Sequence, residues 1–261
     1  MRTAIVLFAL SATATLASID TASAVKGKRK GRPLRCFVDV GSLMGIHSSD
    51  YFDDYKRYLT GTSSTFNAPE IVRLGISSYQ LQDIATGVTG GYYKAVVRET
   101  YQFRPELSDI TADIPAQTLT QELVMTAFPA MVTADYLPFG RQFGTYIGAG
   151  FGLNIVGVTW REAISPSQAP GARSSGERYN DTHIVPTGLV RAGVSLGLDK
   201  VLSSTTSAAI HVEVSYMYST FSAALFERLA PRFQGAGRMA ESYTVSAGGL
   251  GVHAGISFFL R

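Results

Sequence analysis

The chain has 261 residues, of which 26 are glycine, 16% are charged and one is cysteine, and its formal net charge is +3. Soluble domains carry about 25% charged residues, yet mean hydropathy here is only +0.12, so charge is scarce without long apolar runs replacing it. This excludes a disordered chain, a collagen (the glycines have no three-residue period) and a disulfide scaffold. The length suits a single large β domain.

Met1 to Ala24 reads as an export signal: Arg2 starts it, Ala4 to Leu10 form a short apolar core, and Ala22-Ser23-Ala24 offer small residues for cleavage. Residues 25–35 form a basic tail, with six Lys or Arg between Lys26 and Arg35. A periplasmic tail or contact with anionic lipid suits it. Nucleic acid does not, because the chain is exported. Cys36 has no internal partner and reads as a small apolar strand residue.

From 36 to 261 the chain reads as one barrel domain. Strands are predicted at 37–46, 70–79, 87–103, 119–136, 143–160, 185–198, 207–226 and 242–260. The signal is a period of two. In the last strand Leu250, Val252, Ala254, Ile256, Phe258 and Leu260 share one face, while Gly249, Gly251, His253, Gly255 and Ser257 share the other. In the fifth, Ile147, Ala149, Phe151, Leu153 and Ile155 oppose Gly148, Gly150, Gly152 and Asn154. Five glycines between Gln142 and Trp160 argue against a membrane helix there, at about 1 kcal/mol each. Pro129 suggests a bulge in the fourth strand.

Strands of this length are long for a globular protein and long enough to cross a bilayer at a tilt. The connections alternate long and short, with 47–69, 104–118, 161–184 and 227–241 long. That is the arrangement of short periplasmic turns and long outer loops. Aromatics such as Tyr101, Phe103, Tyr136, Phe139, Phe143, Tyr146, Trp160, Tyr216, Tyr218, Tyr243 and Phe258 mark strand ends and predict two interfacial girdles. The fold class is therefore all-β: an eight-stranded antiparallel up-and-down transmembrane barrel.

With this scheme, the phrase Tyr146-Ile147-Gly148-Ala149-Gly150-Phe151-Gly152 and the closing strand Gly251 to Phe259, the sequence resembles the small eight-stranded outer-membrane barrels of Gram-negative bacteria. These are the membrane domain of outer membrane protein A, outer membrane protein X and the opacity-type adhesins. The resemblance implies an outer-membrane location, contact with lipid and lipopolysaccharide, and handling by the barrel-assembly machinery through the last strand. That strand departs from the family's terminal Phe, since Leu260 and Arg261 follow Phe259.

Eight strands leave an interior just wide enough for side chains. The predicted register puts Asp39, Arg73, Lys94, Arg98, Arg191, His211, Glu213 and His253 inside, as a paired polar network that fills the lumen. A narrow pore for ions or small solutes is the alternative. No catalytic centre is assigned: His211, Glu213 and Ser215 share a face but stand in mid-strand, and no Gly-x-Ser-x-Gly elbow exists. His47 beside Ser48 and Ser49, and His183 near Asp181, lack a fixed third partner. Four His and one Cys without tight spacing give no metal or cofactor site. The first long loop carries Tyr51, Phe52, Tyr55, Tyr58 and Phe66 among charges. It reads equally as a contact surface for an extracellular ligand or as an amphipathic helix over the barrel mouth.

Overall fold

A computed structural model describes residues 34–59, 62–81, 83–103, 117–139, 144–165, 176–198, 206–226 and 240–260. The proposed export signal and residues 25–33 of the basic tail lie outside these. Eight strands close a barrel: β1 (Leu34–Met44), β2 (Glu70–Tyr79), β3 (Ile84–Phe103), β4 (Gln117–Tyr136), β5 (Thr145–Ser165), β6 (Gly176–Gly197), β7 (Thr206–Tyr218) and β10 (Gly249–Leu260). Each pairs antiparallel with its chain neighbour, and β1 closes on β10 from Leu34↔Leu260 to Met44↔Leu250. Two short strands, β8 (Thr220–Ala223) and β9 (Tyr243–Ser246), form a separate hairpin sheet, and one helix, α1 (Ser49–Leu59), follows β1.

The wall is uneven. β3 to β6 run 20 to 22 residues, whereas β1, β2, β7 and β10 run 10 to 13. A tilted strand needs about 9–11 residues to cross a bilayer, so the long strands continue beyond it. The outward faces agree. Val38, Val40, Phe128, Val132, Ile147, Phe151, Ile155, Val190, Ile210, Val214, Val252 and Ile256 are exposed and apolar. Directly above them the paired row Lys94, Thr126, Gly157 and Thr182 begins a more polar surface, which continues through the mixed row Val96, Val124, Thr159 and Asn180 to Arg98, Glu122, Arg161 and Glu177. No helix among the described residues is long and apolar enough to cross a membrane; the strands do so.

Several sequence expectations need correction. The seventh and eighth strands are each broken, at Ser219 and at Ala247-Gly248, because the chain turns inward there to form the β8–β9 hairpin. Glycine is required at this break: a Cβ on Gly248 would lie 2.0 Å from the Met217 carbonyl oxygen, and one on Gly249 1.9 Å from that of Met44. The segment 161–184 is mostly strand, since β5 runs to Ser165 and β6 starts at Gly176. Pro129 makes no bulge: the β3–β4 ladder lapses beside it but keeps register, and the irregularity falls between Trp160 and Arg161. The first strand begins at Leu34, three residues before the predicted 37–46, with Arg35 turned into the lumen and buried. Of the two readings of the first loop, the structure forms the helix.

Candidate functional site: the barrel lumen and its outer stopper

The lumen is filled in layers. At the end carrying the short turns, Tyr79, Ala85, Leu137 and Tyr146 pack together. Above them runs a chain of alternating charge. Arg73 makes two hydrogen bonds to the Asp39 carboxylate, at 2.9 and 3.0 Å, and meets Glu213 at 2.8 Å. Arg191 lies 3.7 Å from the other Glu213 oxygen and makes two 2.8 Å bonds to Asp135. Tyr146 donates to Glu213 at 2.8 Å. All these groups are buried, so the pairing is what makes the charges tolerable.

Two imidazoles flank the chain. His211 lies 3.5 Å from Asp39 and 3.1 Å from the Ser257 hydroxyl, which Arg35 also reaches at 3.0 Å. His253 lies 3.6 Å from Asp39 and 3.0 Å from the Ser215 hydroxyl. The trio read from sequence is therefore not a unit. Ser215 is held by His253, His211 by Ser257, and Glu213 by two arginines and a tyrosine. Ser215, His253 and Asp39 stand in nucleophile, base and carboxylate order, and each is at most 4% exposed.

Lumen glycines make these contacts possible. Gly148 separates Asp135 from Arg191 in register, Gly193 stands between Tyr146 and Glu213, and Gly255 between Asp39 and His211. A Cβ at Gly148 would come within 2.1 Å of the Asp135 carboxylate, and one at Gly193 within 2.5 Å of the Tyr146 hydroxyl. Each missing side chain lets two groups meet across the strand between them.

Six of the eight residues assigned inward lie in this buried layer: Asp39, Arg73, Arg191, His211, Glu213 and His253. Lys94 and Arg98 do not. They point outward and are exposed, Arg98 pairing with Glu122 at 2.7 Å. In β3 the odd residues face in, so Tyr93 fills the position expected of Lys94, and the charges are tolerated outside because the strand has left the apolar band there. Arg35, Asp135, Tyr93 and Tyr146 are lumen residues that the periodicity left unassigned. Three supposed girdle aromatics, Tyr146, Trp160 and Tyr243, are buried instead; Tyr136, Phe139, Tyr216, Tyr218 and Phe258 stay exposed. The side chains of Tyr101, Phe103 and Phe143 fall outside the described residues.

Above the charges, Asn154, Thr187 and the Ser219 hydroxyl form a small polar layer at 3.1 to 3.3 Å, and the Tyr93 hydroxyl donates to the Ala247 carbonyl. The outer lumen is mainly apolar, with Leu43, Met125, Val156, Val158 and Trp160 packed under α1 and the hairpin, and it carries a polar cluster in which Glu162 accepts 2.7 Å bonds from Gln121 and Arg178. Tyr51 of α1 stacks on Phe226 at 4.9 Å, and Trp160 meets the Phe226 edge at 4.9 Å. Asp54 accepts a 2.8 Å bond from Tyr243, and Ser48 donates to the Thr244 carbonyl at 2.7 Å. The outer mouth is stoppered by a helix with an aromatic inner face and a charged outer one. At the outer end, His47 bonds the Gly45 carbonyl, and His183 meets Tyr179 at 3.1 Å, lies 3.7 Å from Asp181 and sets its ring against Phe221 of β8. Among the described residues no group of three or more His, Cys, Asp or Glu is placed to hold a metal ion.

A closed antiparallel barrel with an apolar outer band, polar rows above it and a polar inner face has the build of an outer-membrane β-barrel protein, with short turns on the periplasmic side. No protein-family model matches the sequence, and no curated protein matches it. Among solved structures the chain is similar to the outer membrane protein OprG from Pseudomonas aeruginosa (9% identity over 90% of this chain and 98% of that one, TM-score 0.40). It is also similar to Neisserial surface protein A (10% identity, 89% and 97%, TM-score 0.34) and to the attachment invasion locus protein Ail of Yersinia pestis (8% identity, 88% and 99%, TM-score 0.35). Likeness at this level says nothing about activity, and the assignment to the outer membrane rests on the chain's own pattern of faces.

Proposed function

We propose that the protein is a closed, non-enzymatic outer-membrane barrel that serves as a structural element and presents an adhesin-like contact surface on its outer side. The observation that supports this is the filled lumen: an aromatic floor, a paired charge layer, a polar layer and an apolar outer core stand one above another. Among the described residues the lumen is occupied by paired or packed side chains, which supports a barrel that does not conduct, and the burial of Ser215, His253 and Asp39 supports a non-catalytic role. The charged outer face of α1, with Asp53, Lys56 and Arg57 exposed, offers the contact surface. Lipid and lipopolysaccharide are the partners proposed for the wall, and the assembly machinery for β10.

Conductance across planar bilayers tests the reading. The intact protein is expected to pass no current. Steady conductance would favour a narrow pore instead, and an altered lipid A mass on expression would favour a lipid-modifying enzyme. Loss of surface binding when residues 49–59 are replaced by a short linker is the expected sign of an adhesive role.

A further inference from the structure

Among the described residues Arg35, Arg73 and Arg191 are the buried arginines. Arg73 and Arg191 each meet two carboxylates, whereas Arg35, 7% exposed, has no described Asp or Glu within ion-pair distance. Its Nε donates to the Ser257 hydroxyl at 3.0 Å, and its guanidinium lies over the rings of Phe37 and Tyr146, 5.3 and 5.4 Å from their centres. The two terminal nitrogens have no hydrogen-bond partner among the described residues. Beside Arg35 in register on β2 is Ser77, whose buried hydroxyl has no partner either. On the other side stands Phe259 of β10, stacked on Tyr79. This row lies one residue inside the end of the wall at Leu34↔Leu260, on the side of the short turns, so it belongs to the periplasmic mouth.

We propose that the periplasmic mouth is a phosphate-binding site, in which Arg35 and Ser77 hold the group. A buried guanidinium without a counter-ion is costly, and ring faces and one neutral hydroxyl offset only part of that cost. What is left over is all donors: two N–H groups in a planar fork that fits an oxyanion bidentately, and the Ser77 O–H. The Tyr146 hydroxyl is already spent on Glu213. A phosphate brings three oxygens and up to two negative charges to these three donors; a carboxylate brings two oxygens and one charge. The sequence just before β1 adds Lys26, Lys28, Arg29, Lys30 and Arg32. Chain length alone keeps all five within about 30 Å of Leu34, and clustered positive charge of this kind raises the local concentration of anions. An anionic phospholipid head group at the inner rim and free periplasmic phosphate carry the same chemistry.

Isothermal titration of the full protein in an amine-oxide detergent, which carries no phosphate, tests the assignment. Inorganic phosphate is the probe in one arm and dihexanoyl phosphatidylglycerol in the other. The wild type is expected to show one saturable site. Arg35→Gln is expected to lower its affinity about tenfold, and Ser77→Ala about threefold. Lys28→Gln/Lys30→Gln in the tail is expected to lower it less than Arg35→Gln and to flatten its dependence on salt. Heat-dependent gel mobility reports folding for every variant, and Ser77→Ala carries the test if the Arg35 variant does not fold. Saturation by the lipid assigns the site to a head group, and saturation by inorganic phosphate alone to the free ion. Saturation in neither arm, an affinity unchanged in the Arg35 and Ser77 variants that fold, or tighter binding of acetate than of phosphate would each overturn the proposal.

Discussion

Asp135 of β4 and Arg191 of β6 are joined by two 2.8 Å hydrogen bonds that pass over Gly148 of the strand between them. The pair exists because position 148 has no side chain. Replacing Gly148 by Ala is expected to push the carboxylate and guanidinium apart and cost about 1–3 kcal/mol, as other additions to a filled interior do. Gly188→Ala is the matched control. Nothing lies within 4 Å of a Cβ built there, and its effect should stay within about 0.5 kcal/mol. Urea unfolding of the two variants in detergent measures the difference; equal midpoints would count against a glycine role in the pair.

Glu213 is the hinge of the charge chain, since Arg73 and Arg191 both turn to it. Glu213→Ala leaves two buried guanidiniums short of one partner and Tyr146 without its acceptor. Breaking a buried pair from one side costs about 3–5 kcal/mol. The expected result is a large fall in the temperature at which the folded gel band is lost, while an outward change such as Val212→Ala, at a position 52% exposed to lipid, lowers it far less.

The molecule's single tryptophan, Trp160 of β5, lies directly beneath the outer stopper, which makes the stopper easy to follow. Trp160 is 1% exposed and lies against Phe226, which stacks on Tyr51. Phe226→Ala removes the ring common to both contacts, at about 3–5 kcal/mol for a buried aromatic. Emission from Trp160 is expected to shift to the red as water enters the outer lumen. An unshifted spectrum would mean that the stopper closes without this ring.

One acid-sensitive contact lies outside the membrane-spanning part. Glu99, in the outer stretch of β3, accepts hydrogen bonds from the Thr62 and Ser63 backbone amides. Partial burial raises its pKa, but the bonds from Ser63 and Thr62 outweigh that and hold it below the ordinary 4.5. A lowered carboxyl pKa means that the contact contributes fully above pH 4.5 and is lost as the pH falls through the lower folded value. Limited proteolysis between 62 and 69 is expected to stay slow at pH 6 and to speed up only in stronger acid, with Glu99→Gln fast at both.

The wall of this barrel was legible in the sequence because lipid on one side enforces alternation: Leu250, Val252, Ile256 and Phe258 could face only one way. The phase of β3 was not. Gly90-Gly91-Tyr92-Tyr93 offers no contrast between its two faces, so nothing in the sequence tells Tyr93, buried, from Tyr92, exposed, and the predicted register puts Lys94 and Arg98 in the lumen. A charge can sit on the outer face once a strand outlasts the membrane. The stopper was only half legible, since Tyr51, Phe52 and Tyr55 mark an apolar helix face without saying what covers it. The partners of the lumen charges were hidden as well, because Asp135 reaches Arg191 across a strand that no local pattern links to either.

The break at Ser219 and Gly248 has a mechanical meaning. β8 is the continuation of β7, and β9 leads straight into β10, the strand that closes the barrel against β1. A partner pulling on the connection between β8 and β9 would therefore load the neighbouring strands β7 and β10, through one residue on one side and two on the other. Force applied at the cell surface would pass through β10 to the β1 ladder from Met44↔Leu250 downward, and through β7 to the tall strand β6 from Gly188↔Tyr218 downward.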